Sequence, residues 1–89
     1  MDVKEFLMND RFAALLGIEL LETAHGKAKA KLVINDEHLN AVNIVQGGVI
    51  FTLADFTFAA AANSYGKVAM AINVNISFLK AATKGTLYA

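Results

Sequence analysis

The 89-residue chain has no cysteine, which excludes a disulfide scaffold, a thiolate zinc site and a cysteine nucleophile. Imidazoles are scarce: His25 and His38 are the only two, too few for a histidine-rich metal site. Net charge is lacking as well. Eight basic and eight acidic residues cancel, so no summed field draws the chain onto nucleic acid or an anionic membrane. Asp2, Lys4 and Glu5 follow Met1 where a secretory signal would be basic and then apolar, so the expectation is a cytoplasmic protein. What the chain does have is apolar content, 56% of its residues, the reverse of a disordered composition. At this length it makes one small domain over residues 1–89. Such a domain buries only about 60% of its unfolded surface and gains from a partner subunit.

Residues 2–16 read as one or two short helices. Asp2 and Glu5 have a capping-box spacing, Phe6, Phe12, Leu15 and Leu16 are the larger apolar residues, Asn9-Asp10 is a candidate break, and Gly17 is a C-terminal stop. From Ile18 the period shifts towards two. A turn at Ala24-His25-Gly26 leads to Lys27, Lys29 and Lys31 on one face and Ala28, Ala30 and Leu32 on the other, which predicts a hairpin with one wet face. His25 falls at the turn, where solvent is its expected partner. The polar loop 35–38 follows, and His38 is expected to cap or pack within it.

Residues 49–62 run VIFTLADFTFAAAA with no broad polar stripe, which predicts a helix buried on nearly every side. A membrane span needs about 20 apolar residues, and this run is shorter and carries an acid. Gly47-Gly48 opens the helix and 63–66 closes it. Residues 69–79 alternate cleanly, with Met70, Ile72, Val74, Ile76 and Phe78 on one face, and predict a strand. Residues 86–89 read as the start of another.

Between Leu39 and Leu79 only Asp55 and Lys67 carry formal charge. Lys67 follows a turn glycine and is expected in solvent. A carboxylate inside an apolar helix raises its pKa or finds hydrogen bonds, which makes Asp55 either a functional candidate or an acid bonded to Thr52 or a neighbouring chain. The glycine pair at a helix N-terminus offers unpaired N–H groups and a partial positive charge to a developing oxyanion, or is a plain turn. Seven residues separate Gly48 from Asp55, about 10 Å along a helix axis. That is too far for both ends to act on one carbonyl at contacts of about 3 Å. A site using both therefore needs two chains, with two such helices antiparallel.

The runs HLNAVNIVQGGVIFTLADFTFAAAANSYG and INVNISFLKAATKGTLYA resemble the hotdog-fold thioesterases of the phenylacetic-acid-degradation (PaaI-like) group. The resemblance covers nearly the whole chain and rests on His38-Leu39-Asn40, Gly47-Gly48, Leu53-Ala54-Asp55, Asn63-Ser64 and Phe78-Leu79-Lys80. It implies an α+β hotdog fold, a long central helix wrapped by an antiparallel sheet, assembled as a homodimer or homotetramer. The implied activity is hydrolysis of small acyl- or aryl-acyl-coenzyme A thioesters, with no metal and no cofactor beyond the coenzyme A of the substrate. By resemblance, Asp55 activates water or attacks the thioester, Gly47 of the partner chain donates its backbone N–H to the thioester oxygen, and Asn40 holds the water or the carboxylate. Gln46, Gly48 and Lys80 would contact substrate, with Lys80 and Lys84 near the coenzyme A phosphates.

Two features depart from the group. Its members usually have histidine before the glycine pair, where this chain has Gln46. Glutamine donates a hydrogen bond but does not titrate, which predicts weakened or altered activity and counts against the dehydratase branch of the fold. Members also continue for several tens of residues, with strands that fill the sheet between 27–34 and 69–79, so the domain is expected to be incomplete at its C-terminus. Both departures motivate an alternative reading, a non-catalytic acyl-coenzyme A binding or assembly module.

Overall fold

The structure, a computed structural model, describes residues 3–89. Two short helices come first, α1 (Val3–Leu7) and α2 (Arg11–Leu16). The break falls at Asn9-Asp10 because Asp10 caps α2, its Oδ1 accepting the Ala13 N–H at 3.0 Å. Gly17 ends α2 in the left-handed region, φ 85°, and its N–H returns to the carbonyls of Ala13 and Ala14. The predicted Asp2 capping box lies outside the described residues.

The predicted hairpin is present as β1 (Glu19–Ala24) and β2 (Lys27–Val33), antiparallel, with Ala24 opposite Lys27. His25 and Gly26 form the two-residue turn with φ of 43° and 84°, the left-handed pair that matches the twist of a hairpin. His25 is exposed there. Along β2, Ala30 and Leu32 are fully buried while Lys27 and Lys29 face solvent. Lys31 is half-buried and lies 3.7 Å from Glu19 across the pair. The final strand, β3 (Thr86–Tyr88), joins the other edge of β2, with Leu87 opposite Leu32. The sheet order is β1-β2-β3, so β3 is an edge.

The central helix, α3 (Gly47–Ala62), lies on this sheet. Val49, Leu53, Phe56 and Ala60 are its buried stripe, at helical spacing, and they pack in one core with Ala30, Leu32, Leu7 and Ala13. Burying side chains such as Leu32 and Leu53 contributes about 1.5–3 kcal/mol each. Asn63, 1% exposed, closes the helix: its Nδ2 donates to the carbonyls of Ala59 and Ala69, and its Oδ1 accepts the Ala69 N–H at 2.7 Å. Ser64 ties this end to the hairpin, accepting the Gly26 N–H and donating to Ala61.

Two expectations are corrected. The helix is not buried on nearly every side: three strands cover one face, and Ala54, Asp55 and Phe58 on another are exposed. Asp55 is therefore no buried carboxylate in this chain. Residues 69–79 form no strand either, because no described segment pairs with them. They run beside α3 with Met70 78% and Ile72 97% exposed. Alternation sets the faces of a strand, but hydrogen bonds to a neighbour make it one. Between β3 and the uncovered face of α3 lies a cleft of about 980 Å³, bounded by Lys29, Tyr88, Ala54, Phe58 and Ala61.

Candidate functional site

The approach to α3 is a closed loop. Asn40 organises it: its N–H donates to the Ile44 carbonyl at 2.8 Å, and its Oδ1 accepts the N–H groups of Val42 and Ile44. A bridge pairs Leu39 with Val45, and Asn43 sits at φ 62°, a left-handed position that asparagine tolerates. The loop is seated by two backbone bonds, Val45 N–H to Ala82 and Gln46 N–H to His38.

Gln46 is the N-cap of α3. Its Oε1 accepts the Gly48 N–H at 3.0 Å, which fixes the orientation of the side-chain amide and turns Nε2 away as a donor. The N–H groups of Val49 and Ile50 return to the Gln46 carbonyl. Among the described residues, the Gly47 N–H donates to nothing. It is the one unused donor of the first turn, at the positive end of a 16-residue helix. The ring of Phe78 lies over Gly47, so close that an added Cβ would meet its Cζ at 3.1 Å. Together with Ile50, Lys80 and Ala82 these residues line a cavity of about 350 Å³.

Asp55 lies elsewhere. It borders a cavity of about 580 Å³ between α3 and residues 71–76, walled by Phe51, Ala54 and Phe58. Among the described residues its carboxylate has no hydrogen-bond or ion-pair partner. Thr52, the neighbour that could have engaged it, donates instead to the Gly48 carbonyl at 2.7 Å. The structure thus brings Gly47 and Lys80 to one cavity and Asp55 to another, with no residue common to both. Lys84 lines neither.

Sequence reasoning placed His38 within its loop, and the ring is indeed 2% exposed and packed there. It did not foresee that His38 bonds to α2 and to Gln46 at once, because those partners lie far apart in sequence. Nor did it foresee the clamp of Asn63 on Ala69, since a turn asparagine gives no sign of its partner. Among the described residues, no group of three or more His, Asp or Glu side chains is placed to hold a metal ion, and no helix is long and apolar enough to cross a membrane.

A family model described as the thioesterase superfamily matches residues 42–89, a span that contains Gln46, Gly47, Gly48, Asp55 and Lys80. A provisionally named esterase of Archaeoglobus fulgidus is 49% identical over 84 residues, covering 93% of this chain and 54% of the relative. The acyl-coenzyme A thioesterase PaaI of Escherichia coli is 38% identical over 72 residues, covering 81% of this chain and 51% of the relative. The chain spans about half the length of the curated relatives it matches. Among solved structures, the E. coli PaaI protein from the phenylacetic acid degradation operon superposes with a TM-score of 0.91 at 34% identity, over 98% of this chain and 64% of that one. This bears out the expected hotdog architecture, a long helix against an antiparallel sheet.

Proposed function

Because the chain belongs to the thioesterase superfamily, we propose that it hydrolyses small acyl- or aryl-acyl-coenzyme A thioesters in an assembly of at least two copies. The observation that carries this reading is a pair of unused groups on one helix, the Gly47 N–H and the Asp55 carboxylate. They stand about 12 Å apart along the axis, so a single chain does not bring both to one carbonyl. A second copy with its α3 antiparallel does.

In that arrangement Asp55 takes a proton from water as the water oxygen attacks the thioester carbon. The oxyanion that forms is stabilised by the Gly47 N–H of the other copy, a fixed donor that needs no reorganisation. The C–S bond then breaks, the proton held by Asp55 passes to the coenzyme A sulfur, and the acyl group leaves as the carboxylic acid. Gln46, its Oε1 pinned by Gly48, offers Nε2 to the same oxygen, and Asn40 offers its Nδ2 to the water or the carboxylate. Lys80, beside the Gly47 cavity, supplies positive charge to the coenzyme A phosphates. Gln46 in the usual histidine position favours one competing reading, a module that binds acyl-coenzyme A without turnover.

The test is thiol release from phenylacetyl-coenzyme A and a short acyl panel by the parent chain, Asp55→Asn and Gly47→Pro. Proline suits position 47: it is the first helical residue, and Gln46 already has the extended φ −62°, ψ 136° that precedes proline. The substitution deletes the N–H but also adds a Cβ against the Phe78 ring, so Gly47→Ala, which adds the same Cβ and keeps the N–H, is the control and is expected to keep most of the activity. Asp55→Asn and Gly47→Pro are each expected to lose hydrolysis by about a hundredfold or more. Mixing the two after dissociation should recover about a quarter of the parent rate, because half of the statistical dimers then hold one intact site of two. Asp55→Asn or Gly47→Pro as active as the parent would remove that residue from the mechanism, and no recovery on mixing would remove the shared site. Binding without thiol release by the parent would establish the binding module.

A further inference from the structure

We propose that His38 is the positioning residue for the N-terminus of α3, holding Gln46 and Gly47 in place by a tether to the end of α2. Its ring Nδ1 accepts the Asn35 N–H at 3.0 Å. The ring proton therefore sits on Nε2, which donates to the Leu16 carbonyl at 2.7 Å. Leu16 is the last residue of α2, so this carbonyl is one of those a helix leaves without an internal partner. The backbone carbonyl of the same histidine accepts the Gln46 N–H at 2.9 Å. One residue thus bonds the end of one helix through its side chain and the start of another through its main chain.

The surroundings make that link rigid. The ring is 2% exposed, and the Asn35–His38 turn is closed by a second bond, His38 N–H to the Asn35 carbonyl. Residues 39–45 are tied internally by Asn40 and by the Leu39–Val45 bridge, so the loop moves as a unit. Its hydrogen-bonded attachments to the rest of the chain are His38 at one side and the Val45–Ala82 bond at the other, beside the packing of Leu39 and Val45 on the core. Releasing the ring from Leu16 removes the side-chain bond that anchors the His38 end of the loop, leaving the Val45–Ala82 bond and the packing of Val45 to hold the first turn where the Gly47 N–H points. An oxyanion donor works only within about 3 Å of its target, and a misplacement of about 1 Å costs on the order of a hundredfold in rate. The kinetic part of this proposal rests on the hydrolytic reading above; the positioning part does not.

Two substitutions separate the ring nitrogens. In His38→Asn the amide oxygen stands where Nδ1 was and keeps the Asn35 bond, but nothing reaches Leu16. In His38→Gln the amide nitrogen reaches towards Leu16 and keeps the tether. Three readouts are taken on the full 89-residue chain: hydrogen exchange at the Gln46 amide, kcat and KM for thioester hydrolysis, and Tm. His38→Asn is expected to exchange the Gln46 amide about tenfold faster and to lower kcat about ten- to a hundredfold with KM within about twofold, since the donor acts on the oxyanion. His38→Gln is expected to restore protection and to bring kcat back to within about threefold of the parent. Parent-like protection and kcat in folded His38→Asn would overturn the proposal, as would a folded His38→Gln that rescues neither. If His38→Asn fails to fold, the Gln variant decides: parent-like protection and kcat support the tether, and a loss of both overturns it. If the parent releases no thiol, the hydrolytic reading falls, and Gln46 exchange in the two variants still decides the positioning.

Discussion

Residues 27–33 and 69–79 carry the same kind of sequence pattern and meet different fates. Both alternate, and the second does so more cleanly, with five apolar residues on one face. Only the first becomes a strand, paired on both sides by β1 and β3, with Ala30 and Leu32 fully buried. The second runs unpaired past α3 and leaves Ile72 97% exposed. Pattern decides which side chains share a face, whereas a turn of two residues or a neighbouring edge decides whether the face is used. The hairpin turn at His25-Gly26 brings β1 to β2 at little entropic cost. Among the described residues, no such connection serves residues 69–79.

The sharpest way to break this contrast is a matched pair of prolines. Ala30 exchanges two hydrogen bonds with Ala89 in the sheet, and Ala30→Pro should abolish cooperative folding by circular dichroism, because it deletes a central-strand donor. Asn73→Pro should leave the unfolding midpoint within error, and a clear loss of stability there would show that the segment is paired in solution. A smaller contrast comes from truncating apolar side chains. Leu32→Ala should cost about 2–5 kcal/mol by denaturant titration, and Ile72→Ala less than about 0.5 kcal/mol. The smallest effect tests the boundary that divides the first two helices. Asp10→Ala removes the cap on Ala13 and should lower stability by about 1 kcal/mol; an unchanged midpoint would mean that Asn9-Asp10 breaks the segment for another reason.

Local signals in the sequence were legible wherever their partners were also local. Gly17 ended a helix, Gly26 shaped a turn, the lysines of β2 marked its wet face, and Gly47-Gly48 opened α3, each through the backbone conformation of a few adjacent residues. The site was legible to the same degree. The separation of Gly47 from Asp55 follows from helical rise alone, and the structure keeps them in different cavities. What the sequence hid depends on distant partners. The exposure of Asp55 follows from how many strands cover α3. The engagement of the Asn40 Oδ1 follows from the closure of its loop on Ile44. The bond from His38 to Leu16 spans 22 positions, and no periodicity announces it.

The clamp of Asn63 on Ala69 also sets the parity of everything beyond it. Its side-chain amide meets both backbone groups of Ala69, so the extended residues that follow start from a fixed origin. Side chains along an extended chain alternate with period two. Adding one residue between Asn63 and Ala69 that was absorbed without moving the clamp would leave the later faces as they are. Adding one beyond Ala69 would exchange every odd position for an even one, and adding two would restore the original assignment. Any surface that comes to pair with this segment, whatever its source, therefore takes its phase from one buried asparagine.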